Sequence, residues 1–384
     1  RHIQDRDLLL RNTGSWEYGY WWIELGGTGD TIRDNEKLRR ELLAVVTGVW
    51  DYIKNSGKYP ESANWALNWI GMVPGKRESR RIVGRHILTQ QDLEKGGDQF
   101  EDAVCIGGWS MDDHPSGGFD DPDIRPAVQT ELQEVYNIPL RALCSRDFEN
   151  LFMAGRNASC SHVAFSSTRV MATCAVMGQA VGTAAAQCVR DRVTPARLTS
   201  DPAALGRLRQ LLLRQDQTIK LALNRDPEDL ARLARVTASG SIPGSLPESI
   251  IDGVVRDPEN RGRHRWQAEM QPSAPWIRLE WDQPVSASEI QLTFDTGFHR
   301  ELTLSASDST TARTIRAPQP ETIRDYRIEA VDGNGNTVEM GRVGGNYQRL
   351  RRHSFQPLEM KALTLQVEAT NGSDLASLYE IRIY

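Results

Sequence analysis

Residues 156–186, RNASCSHVAFSSTRVMATCAVMGQAVGTAAA, constrain the fold more than any other part of this 384-residue chain. The apolar run at 151–154 predicts a strand that ends in Gly155-Arg156, and a polar, turn-prone linker then leads into a helix of mostly small residues. Ala172, Ala175, Gly178, Ala180, Gly182, Ala184, Ala185 and Ala186 let another backbone or a flat ring approach closely. Tight helix–sheet packing explains this composition by itself. The hydroxyls and backbone N–H groups of 159–168 support a second reading, a helix N-terminus aimed at a bound anion or a polarised heteroaromatic ring.

A chain this long is expected to build two cores rather than one. Its net charge of −5 argues against a nucleic-acid partner, since phosphate-backbone binding requires a basic face. No apolar run approaches the roughly 18 residues that a membrane span needs, so no membrane partner is expected either. Cys105, Cys144, Cys160, Cys174 and Cys188 form no CxxC pair. They fit neither a disulfide framework nor a zinc site, and reduced, buried thiols with no metal are expected. All five precede residue 190, which hints at two modules of different origin.

Residues 15–25 carry Trp16, Tyr18, Tyr20, Trp21 and Trp22 in partial alternation and predict a strand or a substrate-lining segment. Asp34 is placed to cap a helix through Leu38, Leu42, Val45, Val49 and Ile53 that stops before Gly57. Residues 71–125 read as loop. Ser200 is placed to cap a helix through Leu205, Leu208, Leu212 and Leu213, and a second helix is expected at about 227–234. Beyond it the pattern alternates at Ile277, Leu279 and Trp281, at Ile290, Leu292 and Phe294, and at Leu302 and Leu304. Leu363, Leu365 and Val367, and then Ile381 and Ile383, continue it, predicting an antiparallel sandwich without helices.

Two further clusters offer chemistry. Gly75-Lys76-Arg77-Glu78-Ser79-Arg80-Arg81 is either a solvated loop or a set of arginine forks suited to a diphosphate or ribose. In Trp109-Ser110-Met111-Asp112-Asp113-His114-Pro115, one histidine beside two aspartates suffices for an acid–base pair; a turn with capping aspartates is the alternative.

The segments GKRESRR (75–81), FEDAVCIGGWSMDDHP (100–115), YNIPLRAL (136–143) and NLFMAGRNASCSHVAFSSTRVMATCAVMGQAVGTAAA (150–186) resemble the FAD-dependent oxidoreductase family. The aromatic YWWIELGG and the later GVWDYIKNSG match as well, and the resemblance covers roughly 15–190. It implies an α/β flavoprotein fold of the glutathione-reductase-like type that uses FAD as cofactor. It also implies that Gly155 and Arg156 approach the FAD phosphate or ribitol. By the same likeness Ser167, Thr168 and Arg169 sit at a flavin-facing helix start, and Arg77, Glu78, Ser79 and Arg80 lie near the flavin. The implied reaction is hydride transfer from the CH–OH of a sugar-like small molecule. His114 is then the first choice of base, oriented by Asp112 or Asp113, with His162 second and Arg169 holding an anionic group or bracing the loop.

The family's GxGxxG fingerprint is absent, and Gly26-Gly27-Thr28-Gly29 lacks the spacing to replace it. The chain therefore reads as the C-terminal part of a longer flavoprotein that starts mid-fold, with an N-terminal FAD-binding fragment as an expected partner. Val236-Thr237-Ala238-Ser239, Ile251-Asp252-Gly253, Trp266, Pro275-Trp276-Ile277 and the closing Tyr379-Glu380-Ile381-Arg382-Ile383-Tyr384 resemble a discoidin-type domain. That likeness implies a jelly-roll sandwich whose loops bind glycans, with Trp266, Trp276 and Trp281 either core or sugar-stacking. The expected domains are 1–195 (flavoprotein part), 196–234 (helical linker) and 235–384 (sandwich). A carbohydrate-binding or scaffold protein with a non-functional flavin fold is the rival reading. A secreted or periplasmic compartment fits the glycan module better than the cytoplasm.

Overall fold

Apolar residues at helical spacing define the first long element of the computed structural model, α1 (Asn35–Asn55), which buries Val45, Gly48, Val49 and Ile53. They pack on Ile3, Leu8, Trp22 and Phe119. Asp34 stands at the N-cap position, but its carboxylate makes no capping hydrogen bond. The structure describes residues 1–384 except 15, 17, 18, 78, 79, 257–262, 301, 303, 304 and 306. The chain divides into two units, Arg1–Leu205 and Gly206–Tyr384.

In the first unit, α2 (Gln90–Glu94) starts from a reciprocal Thr89–Asp92 capping box. Strands β1 (Ala103–Gly107), β2 (Met111–Asp113), β3 (Val128–Thr130) and β4 (Tyr136–Pro139) form two antiparallel pairs, β1 with β4 and β2 with β3. The strand expected at 151–154 is reduced to one bridge, Phe152 to Cys144, because Gly155 turns the chain at φ +88° directly afterwards. The single small-residue helix is two helices, α3 (His162–Thr168) and α4 (Met171–Asp191), separated by extended Val170. The Ser-Ser-Thr end of α3 favours the break, and Ser166 Oγ donates to the Val163 carbonyl at 2.6 Å. No strand forms among the described residues of 15–25. Ile23 N donates to Tyr20 O and Glu24 N to Trp22 O, both turn contacts. All five cysteines carry free thiols, four of them buried and Cys174 half-buried.

Thr194 caps α5 (Pro195–Leu198). Before α6 (Pro202–Arg214) the cap is Asp201 rather than Ser200: its Oδ1 accepts from Ala203 N at 3.0 Å and Ala204 N at 3.1 Å. Pro202 at the first helical position makes the preceding residue the cap. The helix expected at 227–234 is only a 3-10 turn, Leu230–Leu233, capped by Asp229.

The second unit carries β5 (Arg235–Ala238), β6 (Trp266–Glu269), β7 (Trp276–Phe294), β8 (Ile323–Asp332), β9 (Thr337–Val343), β10 (Leu350–Thr370) and β11 (Leu375–Ile383). The alternating runs at 277–281 and 290–294 are two halves of β7, not separate strands. Residues 277–280 pair with β5 and with 362–365 of β10, whereas 290–294 pair with β11 and with the start of β10. The seven strands of this antiparallel sandwich follow the hydrogen-bonded order β6-β11-β7-β10-β8-β9, with β5 also on β7, and register shifts in β10 separate its pairing with the two halves of β7.

Its core holds Ile277, Leu279, Ile290, Leu292, Phe294, Leu363, Leu365, Ile381 and Ile383. Trp266 and Trp281 are buried there as well, and Trp276 is half-buried. A short helix, α7 (Asp308–Arg313), interrupts the strands where none was expected, capped by Ser307. Leu302 lies in no strand, and Leu304 falls outside the described residues. In β11, Arg382 Nε donates to Glu380 Oε2 at 2.6 Å, with both side chains buried. Burial pushes the Glu380 carboxyl up to about 7 against the pull of Arg382.

Candidate active site

Two glycines bring the aromatic segment at 20–29 against the loop that follows β2. Gly118 adopts φ +54°, and a methyl group there would overlap the Glu24 carbonyl, which accepts from Phe119 N at 2.9 Å. A methyl at Gly27 would likewise overlap the Ser116 backbone. This close crossing carries the Glu24 side chain to His114, whose Nδ1 stands 2.6 Å from Glu24 Oε2. Arg77 donates to the other carboxylate oxygen of Glu24. Its two terminal nitrogens also lie 3.0 Å from Nδ1 and 3.2 Å from Nε2 of His114.

Strand β2 sends Asp112 and Asp113 to different partners. Asp112 Oδ2 accepts from Arg169 Nη2 at 2.9 Å and stands 3.4 Å from His114 Nε2. Asp113 Oδ1 stands 3.0 Å from His162 Nε2 at the start of α3. The Trp21 ring meets His114 edge to face at 5.5 Å. Burial pushes the Arg169 guanidinium down and the nearby charge of Arg77 adds to this, while Asp112 and Glu24 oppose it.

Glu24, Arg77, Asp112, Asp113, His114, His162 and Arg169 line one cavity of about 970 Å³. One wall is apolar, from Leu38, Leu42, Val46 and Trp50 of α1. The lining also includes Lys76, Arg77, Arg80, Arg169, the two histidines and their carboxylates.

Of the residues proposed from sequence, the cavity thus brings together His114, Asp112, Asp113, His162, Arg169, Arg77 and Arg80. Gly155, Arg156, Ser167 and Thr168 do not line it. Arg156 Nη1 donates to the carbonyls of Lys76 at 2.6 Å and Arg77 at 2.7 Å, so it braces the 75–81 loop from behind. Ser167 is fully buried, sharing a 2.7 Å hydrogen bond with Tyr136 Oη and donating to Trp109 O at 2.5 Å. Thr168 Oγ1 lies 3.8 Å from Cys160 Sγ. Glu78 and Ser79 lie outside the described residues.

Glu24 is the residue that sequence reasoning missed. Its signal was an ionisable side chain inside the aromatic run YWWIELGG, directly before a glycine pair. Among the described residues no cluster of His, Cys, Asp and Glu could hold a metal ion. Among the same residues no helix is long and apolar enough to cross a membrane.

Burial alone would raise the Glu24 carboxyl, but hydrogen bonds and charge from His114 and Arg77 hold it below its usual range. Its folded value is the lower one. The stability it contributes is therefore complete above the ordinary glutamate range and is lost as pH falls through the folded value. Glu24→Gln is expected to lower the unfolding temperature at neutral pH, with the gap to the parent closing below about pH 4. Thermal unfolding followed across pH checks this, and a gap of constant size would contradict it.

Residues 4–212 match the family model described as FAD dependent oxidoreductase, and residues 229–299 match a domain of unknown function, DUF7402. Comparison with curated proteins gives no match. Among solved structures, CpGH89CBM32-5 from Clostridium perfringens, in complex with GalNAc-beta-1,3-galactose, is 15% identical. That likeness covers 40% of this chain and 96% of that one, with a TM-score of 0.30. The family 32 carbohydrate-binding module from Streptococcus pneumoniae EndoD is 12% identical over 40% of this chain and 97% of its own, with a TM-score of 0.29. The family 32 module from C. perfringens NanJ, in complex with galactose, is 14% identical over 40% and 94%, also at 0.29. At these scores the likenesses carry no argument, and the sandwich rests on its own strand registers. The first family match spans more than half of the 384 residues, and the chain belongs to the FAD dependent oxidoreductase family.

Proposed function

We propose that the Arg1–Leu205 unit oxidises the CH–OH group of a sugar-like small molecule, with His114 as proton acceptor and FAD as cofactor. The observation that carries this reading is the cavity that combines an apolar wall with a His114–carboxylate pair and an arginine cluster. The donor set fits the flavin ring system. Leu42, Val46 and Trp50 suit a flat ring, and Lys76, Arg77 and Arg80 suit the negative charge of a reduced one. The same contact is proposed for Glu78 and Ser79 from the family likeness alone. Gly155 and Arg156 serve it by holding that loop. Ser167 and Thr168 serve it by fixing the α3 end that carries Arg169.

When bound, FAD supplies the hydride acceptor. The protein's own groups do the rest. His114 takes the hydroxyl proton, and Glu24 and Asp112 stabilise the imidazolium that results. Arg169, tied to Asp112, is placed to meet an anionic substrate group. His162, held by Asp113, positions the hydroxyl from the α3 side. Trp16 and Tyr20, which also line the cavity, suit the apolar face of a sugar ring.

In the flavin-loaded protein, His114→Asn is expected to slow substrate-dependent flavin bleaching about 10²–10⁴-fold, measured by stopped flow. An unchanged rate would remove His114 from the chemistry.

For the second unit we propose glycan contact through loops at one end of the sandwich. Tyr347 is 65% exposed and Phe298 37% exposed on the loops after β9 and β7. Tyr347 is open to ring stacking, unlike Trp266 and Trp281 in the core, whereas Phe298 already has Arg256 and Arg349 over its ring at 4.5 Å and 4.7 Å. A secreted or periplasmic setting accords with that contact. Tyr347→Ala should weaken glycan binding at least several-fold by calorimetry with the fold intact. Equal affinity would move the contact elsewhere.

A further inference from the structure

We infer that Glu24 is a positioning residue that fixes the tautomer of His114, with the proton on Nδ1 and the accepting lone pair on Nε2. An ionised carboxylate only accepts hydrogen bonds, so Glu24 Oε2 at 2.6 Å requires a proton on His114 Nδ1. A guanidinium only donates, so Arg77 Nη2 at 3.2 Å from Nε2 is compatible with the same tautomer, while Glu24 decides it. The 3.0 Å approach of Arg77 Nη1 to Nδ1 brings two donors together, and both are satisfied by the two oxygens of the one Glu24 carboxylate. Glu24 at 2.6 Å and Arg77 Nη2 thus agree on a single proton position, against the longer 3.4 Å approach of Asp112 to Nε2.

The groups that face the ring are Glu24, Arg77, Asp112 and the Trp21 edge, with Arg169 behind Asp112. Asp112 Oδ2, 3.4 Å from Nε2, has nothing to accept from the neutral ring. Once the substrate O–H breaks and its proton forms the new N–H on Nε2, Asp112 gains a donor, and the positive ring lies between two carboxylates. Arg77 releases Nε2 to the hydroxyl in that step and keeps its bond to Glu24. Glu24 therefore acts through His114, and its carboxylate touches no reacting atom.

This role rests on His114 as the proton acceptor, but the tautomer can be read without substrate or cofactor. The test is nitrogen-15 NMR of the full chain with labelled histidine, with the His114 signal assigned by its loss in His114→Asn. In the parent, His114 is expected as the Nδ1–H tautomer.

In Glu24→Gln, Arg77 still claims the side-chain oxygen, so the amide NH2 turns to Nδ1 and the ring inverts to Nε2–H. In Arg77→Gln, Glu24 remains and the Nδ1–H form persists. An uninverted ring in Glu24→Gln, or inversion in Arg77→Gln, would overturn the inference. The unchanged signals of the other histidines show that each variant is folded. Should either variant fail to fold, the parent spectrum decides alone, since an Nε2–H ring there contradicts the assignment. A correct tautomer with an unchanged bleaching rate in His114→Asn would spare the inference about Glu24 and sink the proposed reaction.

Discussion

The Glu24 carboxylate sits between a guanidinium and an imidazole, and the site is organised around that contact. One oxygen takes Arg77, 53 residues ahead, and the other takes His114, 90 residues ahead. Three loops with little regular structure are joined by this one group. Neutralising it would leave the half-buried Arg77 without its counter-charge, a costly arrangement at low dielectric. Gly118 and Gly27 make the contact sterically feasible, since any side chain at either position would push the two backbones apart.

The two-sided cavity follows from what each wall is built on. Helix α1 turns one apolar face towards Trp22 and Phe119 in the core and leaves Leu38, Leu42 and Val46 half-buried along the cavity. The charged groups come from loops, from strand β2 and from the two ends of α3, which supply close backbone approach and ion pairs rather than apolar area. Arg156, Ser167 and Tyr136 hold those loops in place without entering the cavity. An apolar face on a rigid helix and charge on braced segments is a sound division for the flavin-binding and proton-accepting roles proposed for the site.

Much of this was legible in the sequence, for identifiable reasons. The sandwich core followed from strict alternation, because a buried face repeats every two residues whatever the chain does elsewhere. The α1 face followed from 3.6-residue spacing. Motif likeness brought His114, Asp112, Arg77 and Arg169 into consideration, and the structure places them on one cavity. Other features could not be read. The cap at Asp201 depended on Pro202 defining the first turn, and the break at Val170 on local hydroxyl bonding. Separate strands were expected where β7 is continuous, because periodicity does not report whether a polar stretch is a turn or a bend within a strand. Glu24 was missed because its partners are distant in sequence and no spacing rule links them. Arg156 was expected beside the cofactor, and what the sequence did not show is that its Nη1 donates to two carbonyls of the 75–81 segment.

The central claim is that this cavity receives a flavin ring between the α1 wall and the arginine cluster. A visible-absorbance difference titration of the full chain with FAD tests it most directly, with Arg77→Gln as comparison. A saturable, structured change in the flavin bands is expected, with affinity at least tenfold weaker in Arg77→Gln. A spectrum indistinguishable from free flavin, or equal affinity in the variant, would contradict it.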